Sequence, residues 1–151
     1  MVNKKPKQKK IVLASGTFDL LHLGHVKFLE EAKRAGGEDS ELIVVVATDK
    51  TVKQRKGVKP IMPEDQRRAL VEALKMVNKS ILGYEIFDMG KVIEKTKPNI
   101  IAVGYDQDSI EEEVKKTIKE RGLKLQIARI GQFKKDELSS SSRIKRKIIN
   151  I

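Results

Sequence analysis

The chain has only two histidines in 151 residues, and they stand three positions apart, His22 and His25, with Gly24 between them. An imidazole is a compact hydrogen-bond donor that can also gain charge near neutral pH, which suits a place where negative charge builds on phosphoryl oxygens. Gly24 carries no side chain to block a closely approaching phosphate, so both rings can flank a single site. The plainer role for any lone histidine is to cap or pack a turn. Zero cysteines exclude disulfides, thiolate metal sites and a cysteine nucleophile.

The elements that must position these rings are legible as short β-branched runs alternating with amphipathic segments. Runs at 10–15, 41–48, 78–83, 99–104 and 123–130 read as strands. Between them, 25–36, 62–77, 87–97 and 108–122 read as helices, with a short terminal helix over 139–149. In the first helix Val26, Leu29 and Ala32 share a face, and Gly36 and Gly37 end it. Pro63, Glu64 and Asp65 suit the start of the second. The alternation predicts an α/β fold, a parallel sheet with helices on both faces. Gly16 then follows the first strand and the histidines open the first helix, at the carboxyl edge of the sheet. Ligands of open α/β sheets bind there, and amides at a helix start favour an anion. The segment 51–60, TVKQRKGVKP, reads as the longest polar loop inside the fold.

Length predicts a single domain over 10–151 behind a flexible basic tail at 1–9, with neither repeat nor linker. No apolar run approaches the roughly 18 residues of a membrane span, and no secretory signal is recognisable. A soluble, cytoplasmic protein with no membrane partner is expected. The formal charge is +11, with five lysines in the first ten residues and Arg143, Lys145, Arg146 and Lys147 at the other end. Such charge fits nucleic acid or anionic small molecules. Four Phe and two Tyr leave few platforms for base stacking, which disfavours nucleic acid.

The stretch GTFDLLHLGH, residues 16–25, resembles the H-x-G-H signature of the nucleotidyltransferase superfamily, in its cytidylyltransferase-like branch. Further matches run collinearly from about Val12 to Ile148. TDKTVKQRKG resembles the branch's lysine-before-glycine loop and places Lys56 as a phosphate contact. PEDQRRALVEAL resembles a helix that brings an arginine, here Arg67, to the acceptor side. VGYD resembles the nucleotide-side turn, with Asp106 toward ribose or base. SSSSRI resembles the branch's serine-threonine ending, where Ser140, Ser141 and Arg143 would hold phosphates. Lys135 stands where the branch has an arginine, which removes a bidentate fork. KGVKPIMPEDQRRALVEALK and IIAVGYDQ look most like the archaeal FAD synthases; cysteines common near the C-terminus of that group are missing here.

The resemblance implies a Rossmann-like, open, five-stranded parallel sheet and a transfer of AMP from ATP to the phosphate of FMN. His22, His25 and Lys56 would be catalytic. Gly16, Thr17, Phe18, Leu23, Gly24 and the two histidines, with Asp106, Ser140, Ser141 and Arg143, would bind the nucleotide. Arg67 and Lys135 would face the acceptor, and Tyr84, Phe87, Tyr105 and Phe133 are candidates for the flavin ring. A divalent cation, magnesium, is implied, held mainly by substrate phosphates and water without obvious protein ligands. Small-molecule substrates are the expected partners, with a homodimer left open. The alternatives are cytidylyl transfer to glycerol 3-phosphate or a related phosphorylated alcohol, and a basic nucleic-acid-binding domain.

Overall fold

The computed structural model describes residues 8–133 and 140–151. Five strands, β1 (Ile11–Gly16), β2 (Glu41–Val46), β3 (Lys79–Leu82), β4 (Ile100–Gly104) and β5 (Gln126–Ile130), pair in parallel in the order β3-β2-β1-β4-β5. Six helices lie among the described residues: α1 (Leu23–Ala35), α2 (Asp49–Lys56), α3 (Glu64–Glu72), α4 (Met89–Thr96), α5 (Asp108–Arg121) and α6 (Ser141–Ile149). The order reverses between β1 and β4, so the crevice expected of a doubly wound sheet opens above those two strands.

Both faces of the sheet are apolar, as the alternation of each strand requires. Val12 and Ala14 of β1 and Leu42, Val44 and Val46 of β2 pack with Leu29 and Ala32 of α1 and Val71 of α3. The intervening residues Leu13 and Val45 turn to the other side and meet Val92 and Ile93 of α4 and Val114 of α5. Burying each of the valine, leucine and isoleucine side chains contributes roughly 1.5–3 kcal/mol, and the two layers hold the strands in place.

The segment expected as a polar loop at 51–60 is helical through Lys56. Thr48 caps α2, its Oγ1 accepting from Thr51 N at 3.2 Å, and Gly57 ends it in the left-handed region at φ 80°. Only Thr51 and Val52 of this helix are buried, too few to produce an apolar period, so the signal lay in the two caps. The first helix also begins earlier than its apolar pattern suggests, at Leu23 with His22 as N-cap. No described helix is long and apolar enough to cross a membrane.

Candidate active site

β1 and β4 pair only as far as Ala14 and Ala102, although β1 continues beside β2 to Gly16 and β4 beside β5 to Gly104. The gap is bridged by one side chain. Gln107 Oε1 accepts from Gly104 N at 2.9 Å, and its Nε2 donates to Ser15 O at 2.8 Å. A cavity of about 1300 Å³ opens over this edge, large enough for two ligands of nucleotide size.

The β1–α1 turn forms its centre. Phe18 and Leu20 both adopt positive φ, 54° and 50°, and the buried Phe18 ring lies against Gly16, where a Cβ would come within 3.0 Å of ring carbon Cε2. Phe18 also meets the His25 ring at 5.4 Å between centroids. His22 and His25 stack at 3.7 Å, 26° apart, and both line the cavity. His25 Nδ1 accepts from the His22 backbone N–H at 3.3 Å, the return half of a capping box. Burial holds the His22 imidazole below its ordinary pKa. For His25, burial first, and then the neighbouring His22 and Lys56, outweigh Asp19 and push the pKa down to about 3. His25 is therefore neutral at physiological pH. With Nδ1 accepting, its proton sits on Nε2, leaving that nitrogen as a donor.

Asp19, inside the same turn, was not singled out from sequence, yet it joins three elements. Its carboxylate accepts from Ile61 N at 2.8 Å and Met62 N at 3.0 Å and pairs with Lys145 of α6 at 3.2 Å. Its carbonyl accepts from Ser141 Oγ. Burial alone would raise the Asp19 pKa, but the two backbone donors and Lys145 outweigh it, and the group lies below the usual carboxylate range. The signal was present in the sequence: a carboxylate between Phe18 and Leu20 must find partners if the turn is buried. Gln107 left no comparable trace.

Of the residues expected at the site, Gly16, Thr17, Phe18, His22, Gly24, His25, Lys56, Asp106, Ser140 and Ser141 all line the cavity. Leu23 does not; its side chain points to solvent, 51% exposed, because the first helical position faces away from the sheet. Arg143 is likewise outside the lining, where Lys145 and Arg146 of the same helix stand instead. Lys135 lies outside the described residues. Arg67 departs most from expectation. Its side chain is 0% exposed and absent from the lining. Nε donates to Met62 O at 2.9 Å, Nη1 to Thr17 O at 2.7 Å and Ala47 O at 2.8 Å, and Nη2 to Asp49 Oδ1 at 2.7 Å. These partners occupy the guanidinium within the protein, so Arg67 holds the ends of β1 and β2 instead of facing an acceptor.

Among the described residues no three His, Asp or Glu side chains converge to hold a metal ion.

A family model described as Cytidylyltransferase-like matches residues 13–147. The FAD synthase of Ferroglobus placidus is 49% identical over 142 residues, 94% of this chain and 90% of that protein. That of Methanothermobacter marburgensis is 44% identical over 144 residues, 95% and 88% respectively. Among solved structures, the lipopolysaccharide core biosynthesis protein from Thermoplasma volcanium superposes with a TM-score of 0.76 at 42% identity, covering 84% of this chain and 100% of that one. Pantoate-beta-alanine ligase from Francisella tularensis, at 17% identity and a TM-score of 0.62 over 99% of this chain and 73% of its own, shares the fold alone. With its histidine pair at the switch point of a β3-β2-β1-β4-β5 sheet and a family match spanning most of its length, the chain belongs to the cytidylyltransferase-like family.

Proposed function

We infer that this chain is an FMN adenylyltransferase, an FAD synthase: it moves AMP from ATP onto the phosphate of FMN, giving FAD and diphosphate. The observation that carries the reading is the stacked, neutral histidine pair at the mouth of the β1–β4 crevice, in a chain 42–49% identical to several FAD synthases over most of its length.

An FMN phosphate oxygen attacks the α-phosphorus of ATP as the bond from that phosphorus to the bridging β-oxygen breaks, and diphosphate leaves on the opposite side. No enzyme nucleophile is needed, so catalysis rests on orientation and charge neutralisation. The Nε2–H of His25 donates to the transferred phosphoryl group, with His22 stacked on it. Ser140 and Ser141 at the start of α6, with Lys145 and Arg146, suit the departing diphosphate. Gly16, Thr17, Phe18 and Gly24 frame the nucleotide, and Asp106 at the β4–α5 turn faces its ribose or base. Lys56, near enough to His25 to affect its titration, meets the incoming phosphate. Magnesium would be held by the triphosphate and water, and no step above depends on its position. Phosphorylated, membrane-impermeant substrates of this kind support a cytoplasmic protein.

The test is incubation with ATP, FMN and magnesium, with FAD and diphosphate measured by chromatography. FAD should form with ATP and not with CTP. Turnover only with CTP and glycerol 3-phosphate would overturn the reading. In the active protein, His25→Ala should lower kcat by about 10²–10³, as loss of a transition-state donor does, while ATP still binds. Unchanged turnover would remove His25 from the chemistry.

A further inference from the structure

The cavity has two aromatic ends, and they are not equivalent. Tyr105 follows β4 and Phe133 follows β5, the latter with Lys27 Nζ 6.0 Å from its ring centroid. Over β2 and β3 lie Tyr84 and Phe87, on the turn between β3 and α4, facing α2. There the Arg55 guanidinium stacks on the Phe87 ring at 4.2 Å from its centroid. The arrangement is anchored: Thr51 Oγ1 of α2 lies 3.3 Å from both Tyr84 O and Glu85 O, and Lys50 pairs with Glu85 at 3.6 Å. Val52, Met89 and Val92 supply an apolar wall to the same end.

In-line displacement decides which end serves which substrate. The attacking oxygen must approach opposite the departing diphosphate. With the diphosphate on α6 and the adenosine over β4, the acceptor comes in over β2 and β3, past Lys56. Resting on the FMN reading of the site, we propose that the Arg55–Phe87 stack, with Tyr84 beside it, is the platform that recognises the isoalloxazine ring and so determines acceptor specificity. The platform matches the ring in chemistry. Isoalloxazine is planar, apolar along its dimethylbenzene edge and rich in carbonyl and ring-nitrogen acceptors along the other. A flat guanidinium offers a stacking face and in-plane donors together, and a phenyl ring with aliphatic neighbours takes the apolar edge. Arg55 is itself exposed, so its position on Phe87 does not come from a buried ion pair.

The test compares two acceptors: FMN, and D-ribitol 5-phosphate, which is the side chain of FMN without the ring. Wild-type protein should strongly prefer FMN by kcat/KM. Arg55→Gln and Phe87→Leu should each raise KM for FMN by about tenfold or more, the effect of losing a stacking contact. Both should leave KM for ATP within about twofold and reduce the preference over ribitol 5-phosphate. Tyr105→Leu should show the reverse, raising KM for ATP. Phe87 is half-buried against the core; should its variant unfold, Arg55→Gln and Tyr84→Leu, both at exposed positions, carry the same test. FAD formation with unchanged KM for FMN in the Arg55 and Tyr84 variants would overturn the platform and leave the activity standing. Failure of the wild type to form FAD would overturn the activity itself.

Discussion

Replacing Arg67 separates a structural arginine from a substrate-binding one. The side chain is fully buried and donates to Met62 O, Thr17 O, Ala47 O and Asp49. Arg67→Met keeps most of the volume and removes every donor, leaving a 28% exposed Asp49 carboxylate and three carbonyls without their partner. Breaking a buried pair in this way costs about 3–5 kcal/mol. Arg67→Lys retains the charge, but a single ammonium cannot span four acceptors held by a fork. Losing two of the bonds costs about 2–3 kcal/mol at roughly 1 kcal/mol or slightly more each. In a domain of this size each kcal/mol lowers Tm by about 2–4 °C, so the lysine variant should melt about 4–12 °C below wild type and the methionine variant lower still. Thermal unfolding followed by circular dichroism measures this, alongside KM for ATP and FMN in the lysine variant. Because Thr17 O and Ala47 O end the two strands that carry the site, kcat should fall while both KM values move together. A lysine variant with wild-type Tm and a tenfold rise in KM for FMN alone would refute the clamp and restore Arg67 to the acceptor.

Stability should depend on pH through His25. The unfolded ring titrates near 6.5 and the folded one near 3, so the unfolded chain binds the extra proton between those values. This contribution is complete above pH 6.5 and is lost as pH falls through the window; urea midpoints at pH 7.5 and 5 should differ less in His25→Asn than in wild type, and equal differences would contradict the assignment. Asp19→Asn should cost about 1–3 kcal/mol by losing the Lys145 pair and weakening two backbone acceptors, with hydrogen exchange rising in α6; unchanged α6 protection would show that Asp19 does not hold that helix. Gln107→Leu leaves the buried Gly104 N–H and Ser15 O unpaired and should cost about 1–3 kcal/mol by urea unfolding, whereas a neutral result would mean that the crevice stays open without it.

What could be read from the sequence was whatever repeats at short range. The apolar runs revealed the five strands: β1, β2 and β4 because they are buried on both faces and can hold little else, and the partly buried edge strands β3 and β5 by shorter runs. The histidine pair was legible because its residues are rare and close together. Helix α2 was hidden, since five of its eight residues are exposed and its evidence lay in Thr48 and Gly57. Arg67 was visible as a charge but not as a buried one: on an isolated helix it is one of several arginines and acids, and only its distant partners Thr17 and Ala47 show which way it turns. Gln107 is the extreme case. Its side chain bridges the end of β4 to Ser15, 92 residues before it in the chain, and no local pattern encodes it.

Burial decides how the histidines work. A charged imidazolium would attract a triphosphate more strongly in water, but at this position it would stand beside Lys56 and the amides of a helix start, all of the same sign. The chain avoids that conflict by keeping His25 neutral and fixing its orientation: the His22 N–H occupies Nδ1, so Nε2 can only donate. A donor held in place costs no reorganisation when charge develops on the phosphoryl oxygens. Because the ring neither gains nor loses a proton near neutrality, the acid limb of kcat/KM for FMN should not come from His25. It should instead follow the last ionisation of the FMN phosphate, near pH 6, which sets the fraction of acceptor in its dianionic form. That would place the pH control of the reaction on the substrate and not on the histidines.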